Sequence, residues 1–297
     1  MPQRTGITLV GPPSSGKSEL ARCLRAHGRE VIDPDGLRAE RTALAHARGV
    51  IFVIGATDGI DASTTYLWRE VAAAHLARAV VVTKVDDDRA DFDETCALVA
   101  RLFDPHGCVP VTLPVLADDD HLAGFLDLWS GDIRDYTEHT PRTVETEPEH
   151  VAVSAPARDR LRDTIAAMGD VGLSEAITAG LITPILGFAA PGCVGLHEVT
   201  AVVDALSAAD APDLDATDWP EPLDETCPTT ELIITTPTDY AEDVDAYLRR
   251  VTRSVTREVP GDGSSVFTVT GDTSQLLRVP IDVHGLTDGT STCHPRS

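Results

Sequence analysis

Ile7–Ser18 reads ITLVGPPSSGKS: a four-residue run of three apolar side chains and a β-branched threonine, a glycine, two prolines, two serines, and a Gly-Lys-Ser ending. Such a run closed by Gly-Pro forms a short buried strand. Gly11 to Ser18 then matches GxxxxGK[ST]. In that pattern the backbone N–H groups of Gly11, Ser14, Ser15 and Gly16 curl around phosphate oxygens, Pro12 and Pro13 set the turn, and a helix N-terminus adds positive potential. Lys17 is placed to reach the β- and γ-phosphates and Ser18 to give a hydroxyl to Mg²⁺. The motif requires a strand before it and a helix after it. The helix is predicted in KSELARCLRAH, residues 17–27, with Gly28 as its stop.

Working outward, a second strand is predicted over Glu30–Asp33, running into the turn DPDG at Asp33–Gly36. An alanine-rich helix follows from Leu37 to Arg48, then the apolar strand VIFVIGA from Val50. A helix over Ser63–Leu76, with Ser63 as its cap, leads to the strand AVVVTK. Strands alternating with helices imply a parallel sheet covered on both faces, and apolar runs without alternation fit strands buried on both sides. The fold class is therefore α/β. TKVD, Thr83–Asp86, ends one of these strands. Asp86 can accept from guanine N1–H and the exocyclic amine, neither of which adenine offers, while the stem of Lys84 lies along the ring. In DPDG, Asp33 is placed to hold a Mg²⁺-bound water and the Gly36 N–H to meet a γ-phosphate. GFAA, Gly187–Ala190, ends a later strand and is expected to present the Ala189 N–H to the guanine oxygen.

Residues 109–156 break the regular alternation and read as an insert of short β-like pieces and a polar excursion. Helices over 157–168 and 174–179, a strand in ITPILGFAA and a helix over 195–208 complete a first domain, residues 1–212. Residues 211–228 hold six acidic residues, four prolines and no basic residue, a linker composition assigned to 213–228. From Thr229 the order βαββαβ describes a ferredoxin-like α+β sandwich over 229–297. Arg249, Arg250, Arg253 and Arg257 give it one basic edge, a candidate RNA contact.

The composition narrows the function. Twenty-four Lys and Arg face 48 Asp and Glu, a net charge of -24, so bulk nucleic-acid binding is not expected. No run of eighteen apolar residues exists, so no membrane span is expected, and the N-terminus lacks a signal-peptide core. The six cysteines show no CxxC pairing and are expected to be reduced thiols in a cytoplasmic protein. Lysine occurs only at Lys17 and Lys84, although arginine is plentiful. Both fall in nucleotide motifs, where a guanidinium does not replace an ammonium.

These motifs, in this order, carry a resemblance. DGIDASTTYLWREVAAAHLARAVVVTKVDDDRADFDET resembles the region of elongation factor G that leads into its guanine motif, especially the actinobacterial elongation-factor-G-like type. CVPVTLPVLADDDHLAGFLDLWSGDI is similar to the insert of that family's G domain, and TPILGFAAPGCVGLHEVTAVVDAL to its final guanine-contact segment, with Phe188 where the family has serine. ELIITTPTDYAEDVDAYLRRV and VPIDVHGLTDGTSTC resemble the family's last domain. The resemblance implies a P-loop GTPase G domain joined to that last domain, GTP or GDP with Mg²⁺ as ligand, and the ribosome's factor-binding region as a partner. It also exposes departures. Residues 19–32, ELARCLRAHGREVI, leave no room for a switch I loop and contain no threonine. Leu37 stands where the family has its water-orienting histidine, and the family's three intervening domains have no counterpart between residues 212 and 229. GTP hydrolysis is therefore expected to be weak or absent. A different class of reading is a non-enzymatic regulatory or decoy module that holds nucleotide as a structural ligand; a decayed gene copy is a third.

Overall fold

Residues 6–104, 106–117, 121–138, 140–169, 171–209, 230–252, 254–261, 263–271, 279, 283, 286–287 and 290–295 are described by the structure, a computed structural model. The chain forms two compact units, Met1–Pro220 and Glu221–Ser297, dividing within the undescribed stretch 210–229. The acidic linker expected at 213–228 lies outside the described residues.

In the first unit the apolar runs become β1 (Ile7–Val10), β2 (Val31–Ile32), β3 (Gly49–Gly55), β4 (Ala77–Thr83), β5 (Cys108–Pro110) and β10 (Thr183–Phe188). They form one sheet in the order β2-β1-β3-β4-β10-β5, with every pairing parallel. The helices are α1 (Lys17–Ala26), α2 (Leu37–Leu44), α3 (Ala62–Ala73), α4 (Phe92–Leu102), α5 (Pro148–Ala166), α6 (Leu173–Thr178) and α7 (Leu196–Ala208). Within β3, Ile51 and Val53 face a core shared with Leu20 and Leu24 of α1 and Val199 and Val203 of α7. Val50, Phe52 and Ile54 face the opposite core, with Leu67 and Val71 of α3 and Val99 of α4. The uninterrupted apolar run thus serves two faces at once, which is why it shows no alternation.

The insert contributes a separate antiparallel sheet of β6 (Thr112–Leu116), β7 (Leu122–Asp127), β8 (Ile133–Asp135) and β9 (Arg142–Val144). Several local expectations change: β2 shrinks from 30–33 to 31–32, and α2 ends at Leu44 instead of Arg48. α5 begins at Pro148, not 157, because proline is preorganised for the first helical position and its missing N–H costs nothing there. α3 is capped by Asp61, whose carboxylate accepts the Thr64 N–H at 2.7 Å; Ser63 instead donates to Asp61.

Cys23 of α1 and Cys193, just beyond β10, are joined in a disulfide with a Cα–Cα distance of 6.4 Å. This corrects the expectation of six reduced thiols: the partners are 170 residues apart, and nothing in their spacing signals the pairing. The Cys96 and Cys108 thiols are buried, which raises both above the ordinary thiol range, Cys108 to about 12. Cross-links of long loops typically stabilise by about 2–4 kcal/mol. Reduction, or Cys193→Ser, is therefore expected to lower the melting temperature by several degrees in calorimetry, with no further loss on reducing the variant.

The second unit is an antiparallel sheet, β12 (Ser254–Glu258), β13 (Ser264–Gly271), β11 (Thr230–Pro237) and β14 (Thr292–Pro295) in that order, with α8 (Ala241–Val251) after β11. This is the strand order of a ferredoxin-like sandwich. Leu232, Ile234, Val244, Leu248, Phe267 and Val269 make its core. The second helix of the expected βαββαβ order falls almost wholly outside the described residues. The described part of the basic edge is not free charge. Arg249 pairs with Asp245 at 2.6 Å and Arg257 with Glu242 at 2.7 Å; Arg253 and the Arg250 side chain lie outside the description.

Candidate nucleotide-binding site

The carboxyl ends of β1, β2, β4 and β10 bring the sequence motifs to one edge of the parallel sheet, the usual ligand position in such folds. The loop Gly11–Gly16 is built on backbone conformations that its residues select. Gly11 has φ +152° and Gly16 φ +86°, and Ser14 is held at +64°. A Cβ at Gly11 would overlap the Val53 carbonyl, and one at Gly16 would lie 3.3 Å from Thr83, so both positions need glycine. Among the described residues only four non-glycines have positive φ. Ser14 and Lys84 are two of them, one in each motif, and such strain concentrates where function over-determines the backbone.

Lys17 opens α1, and its ammonium folds back along the loop, donating to the carbonyls of Gly11 and, at 3.1 Å, of Pro12. Ser18 follows on the exposed side of the first turn. The hydroxyl of Ser15 is buried with no hydrogen-bond partner, an orphaned polar atom inside the cradle. Donors and an unpaired hydroxyl converging at a helix N-terminus fit an anionic group such as a phosphate. No cluster of three His, Cys, Asp or Glu able to hold a metal occurs among the described residues. A hard cation there would draw ligands from phosphate and water as well as from Ser18 and Asp33, as Mg²⁺ commonly does.

Thr83 ties the two motifs together: its hydroxyl donates to the Ser15 carbonyl, bridging the end of β4 to the loop. Lys84 sits in the left-handed region at φ +58°, and its ammonium pairs with Asp58 at 2.6 Å. Asp86 is exposed at the turn closed by the Asp87 N–H on the Lys84 carbonyl. Asp33 is half-buried beyond β2, and Gly36, at φ +84°, caps α2. Ala189 needs correction. Its N–H donates to the Val194 carbonyl at 3.0 Å and its carbonyl accepts the Val194 N–H, so its amide is engaged in a bridge and not presented outward.

Glu40 escaped the sequence reading. It lies in the first turn of α2 and is only 5% exposed. Its Oε1 accepts the Gly11 N–H at 3.3 Å and stands 3.5 Å from the Lys17 ammonium. The neighbouring Arg41 forms a two-pronged pair with Glu70 of α3 at 3.0 and 2.7 Å, and Tyr66 donates to the same carboxylate, which fixes the rotation of α2. A Glu among apolar and arginine-rich neighbours in a helix reads as a surface residue, and only tertiary packing turns it inward. Burial lifts its carboxyl from the ordinary value near 4.5 to about 7, against the opposing pull of Lys17. A carboxyl lifted in this way binds more protons folded than unfolded between those values, so its stabilising contribution is full below about 4.5 and lost as pH rises through about 7. Glu40→Gln is therefore expected to raise stability at pH 8 by about 1–3 kcal/mol and by much less at pH 5, measured by denaturant melts.

A parallel sheet with a glycine-built phosphate loop at its edge defines a P-loop nucleotide-binding domain. The family profile described as the elongation factor Tu GTP binding domain matches residues 37–209, more than half of the chain. The chain belongs to this family of GTP-binding proteins, within the translational GTPases. The match begins after Gly11–Ser18, so the loop stands on its own sequence and geometry. An elongation factor G-like protein of Mycobacterium tuberculosis is 32% identical over 111 residues, 37% of this chain and 15% of that protein. Elongation factor G of Fervidobacterium nodosum is 29% identical over 129 residues, 41% of this chain and 17% of that protein. The chain thus matches less than a fifth of the length of these relatives. A solved protein of Thermus thermophilus superposes with a TM-score of 0.60 at 13% identity, covering 99% of this chain and 67% of that one, a likeness of fold. No helix among the described residues is long and apolar enough to cross a membrane.

Proposed function

We propose that this chain binds guanine nucleotide through Gly11–Ser18, Asp33, Gly36 and Thr83–Asp86, and that it is a shortened relative of elongation factor G. In this reading residues 1–212 are the G domain and 229–297 the family's last domain, joined by the linker 213–228, and the chain is of the actinobacterial elongation-factor-G-like type. The observation that carries the reading is the Thr83 hydroxyl on the Ser15 carbonyl, which couples a phosphate loop to a TKxD turn. Lys17 and Ser18 meet the phosphates, Asp86 reads the guanine edge, and Mg²⁺, when bound, offsets phosphate charge. Ala189 contributes by shaping the turn after β10, given its engaged amide. The ribosome's factor-binding region is the proposed partner, and the cytoplasm the proposed setting. Titration with fluorescent GDP and ADP tests the assignment: tight GDP and weak ADP binding is expected, and equal affinity for both would sink it.

The alternative, a non-enzymatic module that keeps nucleotide as a structural ligand, is favoured by one observation. β2 is a two-residue strand at the sheet edge, joined to α1 by residues 27–30 alone, a connection too short to close over a third phosphate. Hydrolysis needs neutralised γ-phosphate charge and an in-line water. The first is partly supplied by Lys17, while the alkyl residue at 37 cannot supply the second. Phosphate release is therefore expected to stay below about one turnover per minute, with or without ribosomes, orders below the ~1–100 per second of efficient phosphoryl-transfer enzymes. Faster release that disappears in Lys17→Ala would show that another group holds the water.

A further inference from the structure

Glu40 occupies donors that the phosphate loop would otherwise offer to a ligand. The lysine ammonium has three donors. Two are directed at the Gly11 and Pro12 carbonyls, and the Glu40 carboxylate lies 3.5 Å from the same nitrogen while accepting the Gly11 N–H. The carboxylate therefore meets the loop as a phosphate oxygen would. It arrives from α2, the helix that begins immediately after Gly36, on the side assigned to the γ-phosphate. α2 is not free to turn aside cheaply, because Arg41 is clamped to Glu70 in a buried pair.

We propose that Glu40 is an internal anionic ligand of the phosphate loop that sets selectivity for guanosine diphosphate over guanosine triphosphate. This rests on the nucleotide site proposed above and names the state that the site prefers. A third phosphate adds negative charge beside a buried carboxylate and competes with it for Lys17, whereas a diphosphate meets Lys17 through its β-phosphate alone and adds less charge beside Glu40. The charged groups that act on Glu40 are Lys17 of α1, which favours its ionised form, and Asp61 at the cap of α3, which opposes it; Arg41, on its own helix, is directed to Glu70. Protonation of Glu40 removes the repulsion, so the discrimination weakens as pH falls through neutrality.

The test measures Kd for fluorescent GDP and for a non-hydrolysable fluorescent GTP analogue on the full chain with Mg²⁺. Wild type and Glu40→Gln are compared at pH 8 and pH 6. Wild type at pH 8 is expected to favour GDP by more than about tenfold, and Glu40→Gln to close the gap to within about threefold, chiefly by tightening the triphosphate. Because the terminal phosphate itself takes up a proton near pH 6, the reading at that pH is the wild-type ratio relative to that of the variant, which is expected to converge. A wild type that binds both nucleotides equally, or a Glu40→Gln ratio equal to that of wild type, overturns the role of Glu40 while leaving the nucleotide site standing. No binding of either nucleotide by either protein, with native circular dichroism, overturns the site and the inference together. If Glu40→Gln does not fold, Glu40→Ala takes its place at both pH values, and a ratio equal to that of wild type rejects the inference.

Discussion

Lys17→Ala is expected to weaken GDP binding by roughly a hundredfold or more, about 3 kcal/mol, from the loss of its charged hydrogen bond to the β-phosphate. Lys17→Arg is expected not to restore it. The ammonium is a compact point charge that lies along the loop between the Gly11 and Pro12 carbonyls, with its side chain largely buried. A planar guanidinium is wider and cannot take both carbonyls and a phosphate oxygen in the same space. The chain itself uses arginine wherever a general positive charge suffices, keeping lysine only at 17 and 84. Titration of both variants with fluorescent GDP checks this, with melting curves to establish that the uncompensated Glu40 has not unfolded the domain. Wild-type affinity in Lys17→Arg would remove the main support for the loop.

Asp86→Asn is expected to weaken GDP binding about a hundredfold, some 2–3 kcal/mol for a lost bidentate charged contact. The same change should favour xanthosine diphosphate, whose carbonyl replaces the exocyclic amine that the carboxylate accepts. The geometry around Asp86 suits such a role. Lys84 is held in a left-handed backbone conformation, its ammonium is anchored by Asp58, and the turn that follows leaves Asp86 exposed at the edge of the sheet. Competition of GDP, XDP and ADP against fluorescent GDP measures the switch. An Asp86→Asn variant that keeps its preference for GDP over XDP would assign guanine reading to another residue. Asp87 is the nearby control: its carboxylate is engaged by the Arg89 side chain and backbone, which hold it down to about 2, so Asp87→Asn is expected to leave base preference unchanged.

The parallel sheet was legible in residues that stand next to one another. ITLV, VIFVIG and AVVVT are apolar without alternation, and only a strand covered on both faces tolerates that pattern. Glycines at 11 and 16 were legible as a phosphate loop because the backbone there needs conformations and clearances that other residues do not allow. The missing closing loop was equally plain, since a helix and a strand use up residues 19–32. Each of these signals is local, written in torsional preference and solvent exposure over a few positions. The meeting of Glu40 with Gly11, 29 residues away, was decided only by packing. In LRAERTAL the spacing of Leu37 and Leu44 puts Glu40 and Arg41 on their face, but which segments meet that face is set by the Arg41–Glu70 clamp and the closed core. The Cys23–Cys193 bridge and the Ala189–Val194 pairing that engages a predicted contact amide have the same origin. Local sequence determines which element forms, whereas the partner of a buried polar group is determined by whichever chain segment the closed core brings against it, and that becomes known only when the sheet and its helices are in place.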